Sequence, residues 1–281
     1  MTSGWRLGTA LSMLILTTSL IAVEAQARND IPSCYGTLGA DAPPISPSER
    51  SLFVIIDETV HADKPLKQAF ARKAIRFIGP GDELHVLKFG AYIDNHYTTQ
   101  PFEGRIDPAV TESQRYAISK RSLSKFDTCL YRQAGFVKKR LAAAITDNFG
   151  DGATDIPKTE LIGNLSILGR LVARSDANEK VVLLFSDMLE NSDITSFYHR
   201  GQVKRITPEE ELEKLKASGI ESDWGGAKVY VMGAGLVADN AKAYRSQTTM
   251  DALEDFWHDY FTHNNASLAG WGTPMLLIDL P

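Results

Sequence analysis

Two aspartates stand just past apolar runs of strand length. Asp57 follows residues 51–56 (SLFVII), and Asp187 follows residues 181–185 (VVLLF) in the pair Ser186-Asp187. Continuous apolar runs bounded by polar residues are expected of strands buried on both faces of a parallel sheet. In such sheets ligand sites gather at the carboxyl ends of the strands. Two carboxylates delivered there, with hydroxyls nearby, form an oxygen ligand set suited to a hard divalent cation such as Mg²⁺. The plainer reading of each aspartate is a strand-end turn or a helix cap.

Other chemistry-bearing residues point less sharply. His258 and His263 lie five apart, a spacing that does not put a metal-ligand pair on one helix face, and both read as polar-face residues. Gly233-Ala234-Gly235 follows a strand but lacks the third glycine of a phosphate loop. The tract ESDWGG, residues 221–226, reads equally as a contact loop or an ordinary turn. Thirty Lys and Arg against 35 Asp and Glu leave a net charge of -5, and Lys138-Lys139-Arg140 is the one basic run. That balance offers no chain-wide basic field and argues against nucleic acid as partner.

The elements that position the aspartates can be read in order. Residues 66–78 carry Leu66, Ala69, Phe70, Ala74, Phe77 and Ile78 at helical spacing, with Pro65 suited to a first turn and Gly79-Pro80-Gly81 as the stop. A second strand is expected over 84–89. A third, more polar one over 97–102 has a Pro101 that marks an edge, and its short separation from the second suits an antiparallel pair. After a long polar stretch a helix is expected around 136–149, and another opening at Thr159 with Leu161, Leu165, Leu168 and Val172 on its buried stripe. Thr207-Pro208-Glu209-Glu210 has the form of a capping box, with Gly219 as the helix stop. A strand over 228–232, an amphipathic helix through Leu253, Phe256, Trp257, Tyr260 and Phe261, and a short strand over 275–278 complete the pattern. Alternating strands and helices imply right-handed crossovers and a doubly wound α/β sheet, mostly parallel with one antiparallel edge strand and helices on both faces.

The N-terminal stretch has Arg6, an apolar run over 7–23, and Ala25 and Ala27 in an A-x-A arrangement, the form of a signal peptide over 1–27. An uncleaved anchor and a lipid-modified Cys34 are the competing readings. Residues 28–50 read as a lead or linker and 51–281 as one domain. The two cysteines, Cys34 and Cys129, are expected to form a disulfide in an exported chain. The expected location is therefore periplasmic or secreted, with no membrane attachment after cleavage.

The run FVIIDETVH, then GATDIPKTELIGNL, then VVLLFSDMLENS resembles the von Willebrand factor A family, and the element order is similar over about 51–281. That family carries Asp-x-Ser-x-Ser after the first strand, a Thr before a later helix, and an Asp after the fourth strand. The resemblance implies metal-site roles for Asp57, Thr59, His61, Thr159 and Asp187, with Thr154 as rival to Thr159. His61 stands where the family has a second Ser, and its imidazole favours Mn²⁺ or Zn²⁺ over Mg²⁺. Taken alone, Thr59 suits a hydrogen bond within its own loop and His61 a surface histidine. The implied function is a protein-binding module holding one divalent cation or none. The alternative is a phosphatase or phosphotransferase of the haloacid-dehalogenase type with Asp57 as nucleophile. That chemistry wants a general acid two residues on, where Thr59 stands.

Overall fold

The computed structural model describes residues 28–90, 98–150, 160–199, 202–236 and 246–281. Its centre is β1 (Arg50–Asp57), which lies between β2 (Glu83–Phe89) and β4 (Glu179–Phe185) and is parallel to both. The six-stranded sheet is ordered β3-β2-β1-β4-β7-β8, with β3 (Thr98–Arg105) antiparallel at one edge and β7 (Ala227–Met232) and β8 (Ala266–Gly272) parallel at the other. The unbroken apolar runs of β1 and β4 serve two cores. Phe53, Ile55, Val182 and Leu184 face α4 (Leu161–Ala173) and α6 (Gln247–His263), whereas Leu52, Val54, Ile56, Val181, Leu183 and Phe185 face α1 (Lys64–Phe77) and α3 (Lys120–Thr146). A strand with period two can be apolar throughout only when both faces are covered, as here.

Helix α1 starts on Asp63, whose side chain accepts the Leu66 N–H at 2.8 Å, with Pro65 in its first turn as expected. The edge position of β3 explains Pro101, which has no N–H to give a neighbour. That outer edge is covered by the lead: Asp30 N donates to Glu103 O, Glu103 N donates to the Asp30 carboxylate, and Arg28 reaches Gln100 O and Pro101 O. Further on, Cys34 and Cys129 form a disulfide with Cα atoms 5.7 Å apart, within a small core of Leu38, Val110, Ile118 and Phe126. Buried Asp107 ties the lead to α3 by accepting from Ser33, from Cys34 N and from Gln133 Nε2.

Several sequence expectations need correction. Helix α3 begins at Lys120, well before 136, and a four-residue helix α2 (Glu112–Arg115) precedes it. Its first half buries only Phe126 and Gln133, too sparse a stripe to stand out from a polar loop. Phe149 lies beyond the helix and packs against Phe70 and Phe185. Thr207 precedes α5 (Pro208–Ser218) without a side-chain cap, so the capping box does not form; Glu211 is buried instead and accepts from the Thr195 hydroxyl and Lys214. Gly219 does end α5 with φ 72°. The last strand is β8, not 275–278: its Ala- and Gly-rich sequence hides the signal, while Leu277 in the expected strand is 91% exposed. Trp224 is fully buried against Phe261, which excludes it as a contact-loop residue. Its ring approaches α4 because Gly169 has no side chain; a Cβ there would lie 2.6 Å from Trp224 Nε1.

The long loop after β4 holds two antiparallel strands of two residues each, β5 (Tyr198–His199) and β6 (Gln202–Val203). The proposed leader, 1–27, lies outside the described residues, among which no helix is long and apolar enough to cross a membrane.

Candidate functional site

Asp57 ends β1 and Phe185 ends β4 in the neighbouring register, so Ser186 and Asp187 emerge beside Asp57 at the carboxyl edge of the sheet. The Asp57 carboxylate is completely buried. One oxygen accepts from the Thr59 N–H at 3.0 Å and the Thr59 hydroxyl at 2.6 Å, and the other accepts from the Ser186 hydroxyl at 2.8 Å. Burial pushes its pKa up to about 6, against the opposing pull of the Thr59 and Ser186 hydrogen bonds. Thr59 thus bonds its own loop, as its local reading expects, and does so through the strand-end carboxylate.

Ser186 links the two aspartate loops, since its oxygen also accepts the Met188 N–H at 3.1 Å. Met188 adopts φ 60°, a left-handed conformation unfavourable for a residue with a side chain. The surroundings hold it there: its side chain is buried and its carbonyl accepts the Trp257 indole N–H at 2.8 Å. Asp187 is half-buried and turned to its own loop, accepting from Leu189 N at 2.9 Å and from the Tyr198 hydroxyl at 2.9 Å. Gly233-Ala234-Gly235 packs against this loop: Gly235 N donates to Asp187 O at 2.7 Å, and a Cβ on Gly233 would meet Ser186 O. The glycines therefore serve close backbone approach.

His61 is solvent-exposed, beyond the Asp57–Thr59 turn. Thr154 and Thr159 lie outside the described residues. The structure therefore brings Asp57 and Thr59 into direct contact, with Asp187 on the adjoining loop. His258 and His263 are exposed on α6, as read, and Trp257 is core.

Sequence reasoning passed over two residues. Ser186 stands in the sequence as the neighbour of Asp187, yet its hydroxyl is one that Asp57 holds. Glu190, within SDMLENS, has no role in the sequence pattern. It is fully buried, and one of its oxygens accepts the Ile162 N–H at 2.7 Å in the first turn of α4, a donor that Glu160, preceding the helix, does not satisfy with its side chain. Burial raises its pKa to about 7, against the Ser192 hydroxyl and the α4 backbone. The available signal is an acidic residue directly after the apolar pair Met188-Leu189.

Among the described residues no three His, Cys, Asp or Glu side chains gather as a metal site. The donors present at the edge are oxygen atoms, and those of Asp57 are already engaged by hydroxyls. Such a set suits a hard cation only if other donors complete the shell.

No family model and no curated protein matches the sequence. Among solved structures, the chain is similar to the pilus adhesin SpaC of Lactobacillus rhamnosus GG in its open conformation, at 12% identity over 77% of this chain and 27% of that one, with a TM-score of 0.37. It is also similar to a von Willebrand factor type A protein of Catenulispora acidiphila, at 15% identity over 76% of this chain and 43% of that one, with a TM-score of 0.30. A third is an aerotolerance-related membrane protein of Bacteroides fragilis, at 10% identity over 73% of this chain and 87% of that one, with a TM-score of 0.27. The chain spans less than half the length of the first two. With its β3-β2-β1-β4-β7-β8 order, antiparallel β3 edge and helices on both faces, the chain has a doubly wound, mostly parallel α/β fold.

Proposed function

We propose that the protein is a binding module whose carboxyl sheet edge meets a protein partner. Asp187, Thr159 and His61, with Thr59 and with Asp57 behind it holding the Thr59 and Ser186 hydroxyls, then form a degenerate cation site that the partner's own carboxylate completes. One observation carries the reading: the strand-end carboxylate of Asp57 is buried and held by two hydroxyls. A nucleophile must reach its substrate, and a carboxylate engaged on both oxygens inside the fold is poorly placed for that attack, which disfavours the phosphatase alternative. The disulfide fits an oxidising compartment, and with the A-x-A leader it supports export to the periplasm or beyond.

Isothermal titration with Mg²⁺, Mn²⁺ and Zn²⁺ tests the cation. Weak binding is expected in the wild type, with loss in Asp187→Ala and a shift toward Mg²⁺ in His61→Ser. No heat from any metal, with His61→Ser unchanged, would remove the cation from the reading. The partner is tested by affinity capture with and without chelator. Equal capture by wild type and Asp187→Ala would move the binding surface away from this edge.

A further inference from the structure

Helix α3 changes how the charge of the chain is read. The net charge of -5 suggests no basic field, yet α3 alone carries seven Lys and Arg against one Asp. Its buried stripe is Phe126, Gln133, Val137, Leu141 and Ile145. At 3.6 residues per turn, Arg121, Lys125, Arg132 and Lys139 fall on the opposite, outermost line of the helix, and all four are exposed. The line is about 27 Å long at roughly 1.5 Å per residue. None of these four has an ion-pair or hydrogen-bond partner among the described residues, and Asp127, the one acid of α3, is occupied by Arg115 at 2.7 Å. Aromatic rings accompany the charges: Tyr131 is 84% exposed and Phe136 39%.

The opposite face of the sheet has the opposite sign. Helix α6 carries Asp251, Glu254, Asp255 and Asp259 with no Lys or Arg, and it packs on the core across the sheet from α3. The molecule is thus polarised through its thickness.

We propose that the outward ridge of α3 docks on an anionic phospholipid bilayer, with α3 against the surface and the acidic α6 face turned away. Charge complementarity is the first argument, since unpaired basic side chains next to an anionic leaflet lower the free energy of the adsorbed state. Shape is the second. The four residues share one line of the helix, so a plane meets them together, whereas a nucleic acid duplex taking the helix into its groove must also close on the flank that carries Asp127. The third argument is the aromatic pair, because Tyr and Phe beside basic residues suit the headgroup layer. The apolar face of α3 is already buried in the protein, so the attachment is peripheral and reversible.

Flotation of the full chain with vesicles tests this, using phosphatidylcholine alone and phosphatidylcholine mixed with phosphatidylglycerol. Binding to the mixed vesicles only, lost at high salt, is expected. Each basic residue at such a surface is worth roughly a five-fold gain, so the exposed double variant Arg132→Glu with Lys139→Glu should bind at least about 25-fold more weakly. The matched α6 variant, Asp251→Asn with Asp255→Asn, should bind as well as wild type or better. Far-ultraviolet circular dichroism and titration of free thiols verify that each variant is folded and bridged. Absence of wild-type binding to the mixed vesicles, equal binding to neutral vesicles, or undiminished binding by the α3 variant would overturn the proposal. Tighter binding to a DNA duplex than to the mixed vesicles would also overturn it, in favour of a nucleic acid partner.

Discussion

Replacing Asp57 with Asn should make the protein more stable near neutral pH, and the gain should depend on pH in a defined way. The Asp57 carboxyl has an ordinary pKa of 3.8 and is raised to about 6 in the fold. Below the lower value it is neutral in both folded and unfolded chains and exerts no linkage. Between the two values the unfolded chain ionises first, so stability falls as pH rises. Above about 6 both states are ionised and the whole penalty is present. At about 1.4 kcal/mol per pH unit, that penalty is about 3 kcal/mol. Asn can keep most of the geometry: its carbonyl takes the place of the oxygen that accepts from Thr59, and its amide can donate to Ser186. The fixed cost of turning the Ser186 hydroxyl is the same at every pH and drops out when two pH values are compared. Urea unfolding of wild type and Asp57→Asn at pH 4 and pH 7.5 isolates the effect. The variant should gain about 2 to 3 kcal/mol on wild type between the two conditions. Glu190 contributes a slope of the same sign up to about pH 7, but it is present in both proteins and cancels. A differential gain under about 1 kcal/mol, or one of opposite sign, would refute the claim that Asp57 is ionised at a cost in the folded protein. The same variant should lose any cation binding, so stability and function would part at this residue.

Removing the bridge by Cys34→Ser with Cys129→Ser opens a loop with a sequence separation of 95. The chain-entropy model gives a loss of about 4 to 5 kcal/mol, read as a lower urea midpoint; a loss under about 1 kcal/mol would mean the reduced chain keeps the lead in place. Gly169→Ala puts a methyl group into the Trp224 ring and should destabilise by about 1 to 3 kcal/mol, with a change in tryptophan fluorescence. An unchanged Tm in that variant would show that the Trp224 loop can withdraw freely.

The central sheet was legible because residues 52–56 of β1 and 181–185 of β4 are apolar without a break and polar residues follow each run, a pattern that double burial requires. Cys34 and Cys129 were legible because the expected export leaves a cysteine pair few other fates. β8 and the first half of α3 were not. Ala266–Gly272 lies at a sheet edge, where small residues suffice, and α3 turns most of its circumference to solvent before Val137. At the site, the strand-end position of Asp57 follows from the apolar run before it, and the bond of Thr59 within its own loop from its residue type. The Glu190 contact does not, because its partner is a backbone N–H of Ile162, a group present in every residue except proline and carrying no side-chain signature.

The lead that lies along β3 has a consequence for the order in which the chain is completed. Residues 28–31 are made early, but the backbone they clasp, Gln100 to Arg105, follows some seventy residues later, and Gln133, which locks Asp107 onto this region, later still. A chain emerging from its N-terminus must therefore keep this stretch unplaced until α3 is out, with the thiol of Cys34 exposed to any passing oxidant or second chain. The earliest part of the domain becomes the last to settle, and mixed disulfides through Cys34 are the characteristic error of a chain released before residue 129 has joined it.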